Sequence, residues 1–159
     1  MIKFLRKIRK VTIVTRNPSQ TKKLGKILAR EFLKTSGKKA LVLGLIGDLG
    51  GGKTTFLQGF ARGLGIKEKI LSPSFVIMKI FKIADKKNSL RFYHFDCYRI
   101  KKPKEILNLG FKKIISNPKN IVAIEWADKI QKILPKDKIT LKFKFVDKKT
   151  RKITIEDKK

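Results

Sequence analysis

A chain of 159 residues, 42% of them hydrophobic, is long enough for one domain with its own core and too short for two ordinary ones, so 1–159 is read as a single domain. One cysteine, Cys97, excludes a disulfide framework and points to a reducing compartment, and no apolar run approaches the ~20 residues that cross a bilayer. Forty-one Lys and Arg against 12 Asp and Glu give a formal charge of +29, and two readings of it stand side by side: attraction to RNA or DNA, or a lysine-rich composition, since only eight of the 41 are arginine and the lysines are spread along the chain.

The start, MIKFLRKIRK, is basic, but no apolar stretch and cleavage site of a secretory signal follow it, so a cytoplasmic protein without a membrane partner is expected. VTIVT (11–15) alternates as a short strand does. Asn17, Pro18 and Ser19 then offer a helix start, and Leu24, Ile27, Leu28 and Phe32 share one helical face, with Gly37 as the expected stop. ALVLGLI (40–46) is a continuous apolar run, as in a strand buried on both faces of a parallel sheet. A glycine loop follows, then a helix from Lys53 with a Phe56, Phe60 and Leu64 stripe. SPSF (72–75) is a turn into the strand FVIMKIFKI, and a turn at 85–89 separates that from LRFYHF (90–95), which ends at Asp96. A short helix over 105–109, stopped by Gly110, precedes the strand NIVAIEW (120–126) and a short helix to about Ile133. ITLKFKFV and KITIE read as a β-hairpin. The sum is an α/β domain with mixed strand directions.

Gly47-Asp48-Leu49-Gly50-Gly51-Gly52-Lys53-Thr54 matches G-x-x-x-x-G-K-[ST] at every fixed position, with a buried-strand pattern before it and an amphipathic helix after it. Glycines let backbone N–H groups approach phosphate oxygens, and the helix start adds the positive end of its dipole. Lys53 suits the β- and γ-phosphates, and the Thr54 hydroxyl suits Mg²⁺. Such a loop needs carboxylates nearby, and ligands of α/β sheets collect at the carboxyl ends of strands. Two of the chain's scarce acids stand at such ends, Asp96 and Glu125.

His94 shares a strand face with Asp96 and either orients that acid or simply packs. Arg99 faces phosphate or pairs with Asp96. Ser72 and Ser74 offer hydroxyls in a loop able to respond to nucleotide. Trp126 is read as core, and the single histidine with one cysteine is too little for a metal cluster. The guanine-reading N-K-x-D pattern is missing, which favours ATP over GTP.

GDLGGGKTTF, SPSF, HFDCYR and IEWAD, in this order and at these separations, resemble the TsaE (YjeE) family over roughly residues 17–135. Its members are small bacterial P-loop ATPases required to make threonylcarbamoyladenosine on tRNAs that read ANN codons. The resemblance implies an α/β fold, a P-loop NTPase-type three-layer sandwich with a mixed, mainly parallel central sheet and a C-terminal antiparallel hairpin. It implies that Gly50, Gly51, Gly52, Lys53, Thr54 and Thr55 wrap the phosphates of ATP, that Thr54 and Glu125 hold Mg²⁺, and that Asp96 with Lys53 serves hydrolysis. Thr21 and Ser74 answer to nucleotide-side positions of the family, and the hairpin turn (148–151) to a border of the adenine. The partners implied are TsaB and TsaD homologues, a transferase pair that ATP hydrolysis resets, with activity weak in their absence and tRNA engaged indirectly; direct tRNA contact is left to the charge. Three positions depart from the family pattern: Gly51 for alanine, expected to loosen the loop, Ser74 for threonine, and Asp128 for glutamate.

Two other classes remain open at this point. A small-molecule or nucleoside kinase would use the same loop but needs an arginine-rich lid, and a nucleic-acid binder with a vestigial nucleotide site would use the charge. Product formation on candidate acceptors would single out the first, and RNA binding indifferent to ATP the second.

Overall fold

The computed structural model describes residues 9–71, 76–84 and 89–157. Ser72, Ser74 and all of the expected 85–89 turn except Ser89 lie outside the described residues. In chain order the elements are β1 (Lys10–Thr15), α1 (Pro18–Leu33), β2 (Leu41–Gly47), α2 (Lys53–Gly63), β3 (Met78–Lys82), β4 (Arg91–Asp96), α3 (Pro103–Leu107), α4 (Phe111–Ser116), β5 (Asn120–Glu125), a 3₁₀ helix (Ala127–Ile133), β6 (Ile139–Phe145) and β7 (Arg151–Asp157). The seven strands form one sheet in the order β1-β7-β6-β2-β5-β4-β3. Its centre, β6-β2-β5-β4, is parallel, and β3 at one edge and β7 and β1 at the other run antiparallel to their neighbours.

Alternate residues of a strand face opposite sides of a sheet, and here both sides are covered. Leu43, Leu45, Phe92, Ile121 and Leu141 pack against Leu28, Phe32, Phe56 and Phe60 of α1 and α2. Val42, Tyr93, Phe95, Val122 and Ile124 pack against Ile106, Phe111 and Ile130 of α3, α4 and the 3₁₀ helix. The result is the three-layer sandwich expected from the sequence. Phenylalanine rings bind the first core together: Phe60 lies 5.7 Å from Phe32, edge-on, and 5.7 Å from Phe92. Each such buried ring contributes about 1.5–3 kcal/mol through the apolar surface it removes from water.

Asn17 caps α1 as expected, its Oδ1 accepting the Gln20 N–H at 2.8 Å. The helix ends at Leu33, ahead of Gly37, because the Lys34 N–H turns back to the carbonyls of Glu31 and Phe32 and the Thr35 hydroxyl donates to the same Phe32 oxygen. The strand expected over 75–83 is confined to Met78–Lys82. The helix expected over 105–109 starts at Pro103, where the Glu105 carboxylate accepts the N–H groups of Lys101 and Lys102 at 2.9 and 2.8 Å. Gly110, expected as a stop, is also the start of the unforeseen α4, its φ of +78° letting the chain turn from one short helix into the next.

α1 and α2 meet backbone to backbone. A Cβ on Gly59 would fall 1.9 Å from the Lys22 oxygen, one on Gly25 2.2 Å from the Phe56 oxygen, and one on Gly63 2.5 Å from the Lys26 oxygen. This close approach sets the first turn of α1, with Thr21, beside the loop that opens α2. Among the described residues no helix is long and apolar enough to cross a membrane.

Candidate nucleotide site

Parallel pairing brings the carboxyl ends of β2, β4 and β5 to one edge of the sheet. Asp96 and Glu125 are register partners across β4 and β5, so two acids 29 positions apart in sequence become neighbours at the strand ends. The glycine loop emerges from β2 beside them. Gly52, the N-cap of α2, has φ +99° and no side chain to cap the helix, leaving the first amides of α2 open to a ligand. Gly51 donates its N–H to the Asp48 oxygen at 3.0 Å, and a Cβ there would lie 2.9 Å from that oxygen.

A cavity of about 490 Å³ opens over this edge. Its walls bring together Gly50, Gly51, Gly52, Lys53, Thr54 and Thr55 of the loop and α2, Thr21 of α1, Asp96, Arg99 and Glu125 from the strand ends, and Lys148, Lys149 and Arg151 from the hairpin. Every expected site residue among the described ones therefore lines a single cavity, and Ser74 is outside the described residues.

Lys53 is 5% exposed, its ammonium donating to the carbonyls of Gly47 and Asp48 at 2.5 and 2.8 Å and lying 4.0 Å from the centroid of the Trp126 ring. Burial lowers its pKa, against the opposing pull of Glu125, Asp48, Asp96 and Asp128. Thr54 Oγ1 donates to the Glu125 carboxylate, 3.0 Å from Oε2 and 3.3 Å from Oε1. Asp96 Oδ1 accepts the Tyr98 N–H at 2.9 Å. Thr21 is buried, its hydroxyl 2.8 Å from that of Thr15. Cys97, next to Asp96, has its thiol pushed up to about 12 by burial and then by the Asp96 charge.

Three features were not legible in the sequence as read. His94, expected either to orient Asp96 or to pack, is hydrogen-bonded to Glu125, Nε2 to Oε1 at 2.9 Å. Trp126, expected as core, is half-buried against the second core and, leaving the strand through a left-handed backbone (φ 57°), also lines the cavity wall. Arg151 ties the hairpin to the loop, donating from Nε to the Gly50 oxygen at 3.1 Å and from a terminal nitrogen to the Asp147 and Thr150 oxygens. The signals available were the tryptophan immediately after a strand-end acid and an arginine where the hairpin turn enters β7.

The donors suit a magnesium nucleotide. Thr54 and Glu125 present hard oxygens side by side, a partial set of the kind Mg²⁺ takes when phosphates and water complete its shell. Among the described residues no cluster of three His, Cys, Asp or Glu could hold a metal alone.

Comparison with known proteins identifies relatives of the chain. The family described as threonylcarbamoyl adenosine biosynthesis protein TsaE matches residues 15–153. A protein of Haemophilus influenzae named tRNA threonylcarbamoyladenosine biosynthesis protein TsaE is 36% identical over 125 residues, covering 79% of this chain and 76% of its own. Its Bacillus subtilis namesake is 36% identical over 140 residues, covering 88% and 81%. The crystal structure of Bacillus subtilis YdiB superposes with a TM-score of 0.70 at 32% identity, covering 93% of this chain and 85% of that one. With the family pattern spanning all but the ends of the chain and a solved relative sharing its sheet, the chain belongs to the TsaE family.

Proposed function

We propose that this chain is a single-domain ATPase of the cytoplasm that binds ATP with Mg²⁺ and hydrolyses it in the service of threonylcarbamoyladenosine formation on tRNA. The observation that carries this reading is the meeting of Lys53, Thr54, Asp96 and Glu125 at one helix N-terminus and one pair of strand ends. In this role the open amides of Gly50 to Thr55 receive the phosphates, and the Lys53 ammonium exchanges the carbonyls of Gly47 and Asp48 for phosphate oxygens. Thr54 Oγ1 and the Glu125 carboxylate are the protein's ligands for Mg²⁺, whose chemistry is to neutralise phosphate charge. Asp96 holds and orients the attacking water, Arg99 is a further cation of the cavity wall, and Thr21 and the hairpin turn flank the nucleoside side. Ser74 belongs to the same nucleotide set by family pattern.

Hydrolysis is weak alone and rises with TsaB and TsaD homologues, which the cycle resets; tRNA is engaged through that pair. A kinase would need several arginines to clamp a transferred phosphate, and the cavity's described walls carry Arg99 and Arg151, the latter committed to the loop and hairpin. The test is phosphate release with both partners present. Lys53→Ala and Asp96→Ala should each lose at least about 100-fold, the scale of removing one well-aimed electrostatic group, with unchanged circular dichroism. Turnover by either variant within twofold of the parent would overturn the assigned roles.

A further inference from the structure

Glu125 is 2% exposed and its carboxylate touches two side chains only in part alike: Thr54 faces both oxygens from the cavity side, while His94 takes Oε1 alone. His94 comes from β4 on the face that also carries Asp96, two residues before the Asp96–Glu125 register pair. Its ring is fully buried and stacked on Phe92 at 6.4 Å with the planes 10° apart. Nδ1 has no hydrogen-bond partner among the described residues. A ring kept for packing alone would be cheaper as phenylalanine or leucine, because a buried polar atom without a partner costs about 1–3 kcal/mol. What histidine supplies here and an apolar side chain cannot is an N–H aimed at Oε1.

We propose that His94 is a positioning residue: its Nε2–H pins Oε1 of Glu125 so that the carboxylate keeps its other oxygen turned to Thr54 and the cavity, where the metal of a bound nucleotide is held. The inference rests on the reading that Thr54 and Glu125 are the Mg²⁺ ligands. Partners that fix a ligand's orientation in this way typically alter metal affinity by about 10–100-fold when removed.

Glutamine and asparagine separate this role from packing, since both are polar and smaller than the ring. A glutamine amide reaches the position of Nε2, whereas an asparagine amide reaches only that of Nδ1. The measurement is binding of a fluorescent ATP analogue as Mg²⁺ is titrated, with a parallel arm in EDTA and melting curves to establish folding. His94→Asn should need about 10-fold more Mg²⁺ for half-maximal binding, and His94→Gln should stay within about threefold of the parent. In EDTA all three should bind the analogue alike. An asparagine variant that follows the parent's Mg²⁺ curve, equal impairment of the two variants, or a loss of the same size in EDTA would each overturn the positioning role while leaving the metal site standing. A parent protein whose binding ignores Mg²⁺ would overturn the metal site and this inference together.

Discussion

Replacing Gly59 by alanine tests whether the contact of α1 with α2 is as close as the backbone indicates. The added Cβ would sit 1.9 Å from the Lys22 oxygen, so the helices must part by about 1.5 Å to reach an ordinary 3.4 Å contact. Both colliding groups belong to helices, one of them a backbone carbonyl, so no rotamer change relieves the clash. Overpacking of this kind costs about 1–3 kcal/mol, and the upper end applies here. Alanine returns about 1 kcal/mol through its better helix propensity. The net loss is about 2 kcal/mol, which for a chain of this size lowers the melting temperature by about 4–8 °C. The control is Gly37→Ala, outside the helices, where the nearest atom to a new Cβ is the Lys39 oxygen at 3.6 Å. Its melting temperature should move by no more than about 2 °C, the equivalent of the ~0.5 kcal/mol typical of surface changes. Calorimetric melts of both variants decide the matter. A Gly59→Ala protein melting at or above the parent would refute the close approach, and an equal drop in both variants would refute its localisation to the helix contact.

Two further outcomes follow from the same geometry. Trp126 is the chain's only tryptophan and lies 4.0 Å from the Lys53 ammonium on the cavity wall, so its fluorescence should change when ATP is added and also when Lys53 becomes methionine; an emission spectrum unmoved by both would remove Trp126 from the site. Glu156 is held below its ordinary 4.5 first by the hydrogen bond from Lys142 and then by the charges of Lys142 and Lys10, so its stabilising contribution is complete above pH 4.5 and lost as pH falls through the lower folded value. Glu156→Gln should flatten the fall in urea stability between pH 5 and 3 of roughly that acid window, and parallel curves for the two proteins would contradict the pairing.

How much of this was written in the sequence depends on the range of the interaction. The glycine loop, the buried β2 run before it and the Phe56, Phe60 and Leu64 stripe after it are local patterns, and they fold as read. Asp96 and Glu125 were placed at strand ends from local pattern as well. Their adjacency, however, comes from parallel pairing of β4 with β5, which no spacing encodes, and the same pairing sends His94 to Glu125. The helix before Gly110 stops as expected, but α4 after it had no signal of its own, because one left-handed residue can end one helix and begin another. Gly25 and Gly59 carry no turn signal at all; their reason lies in the facing helix. Trp126 does pack on the core, and its second role on the cavity wall comes from the left-handed backbone at the strand's exit into the 3₁₀ helix, which no local pattern announces.

The pairing of β1 with β7 constrains how the molecule is made. Thr12 and Thr154 share a hydrogen bond across 142 positions, so β1 waits for all of those positions to be made before it finds its neighbour. At ribosomal speeds of about 5–20 residues per second that wait is about 7–28 s. The clamp from Arg151 onto Gly50 arrives at the end of the same interval. A nascent chain can assemble β2, α2, β4 and β5 earlier, yet the nucleotide cavity acquires its hairpin wall only as β7 emerges. The glycine loop and the wall that closes it are thereby made 101 positions apart.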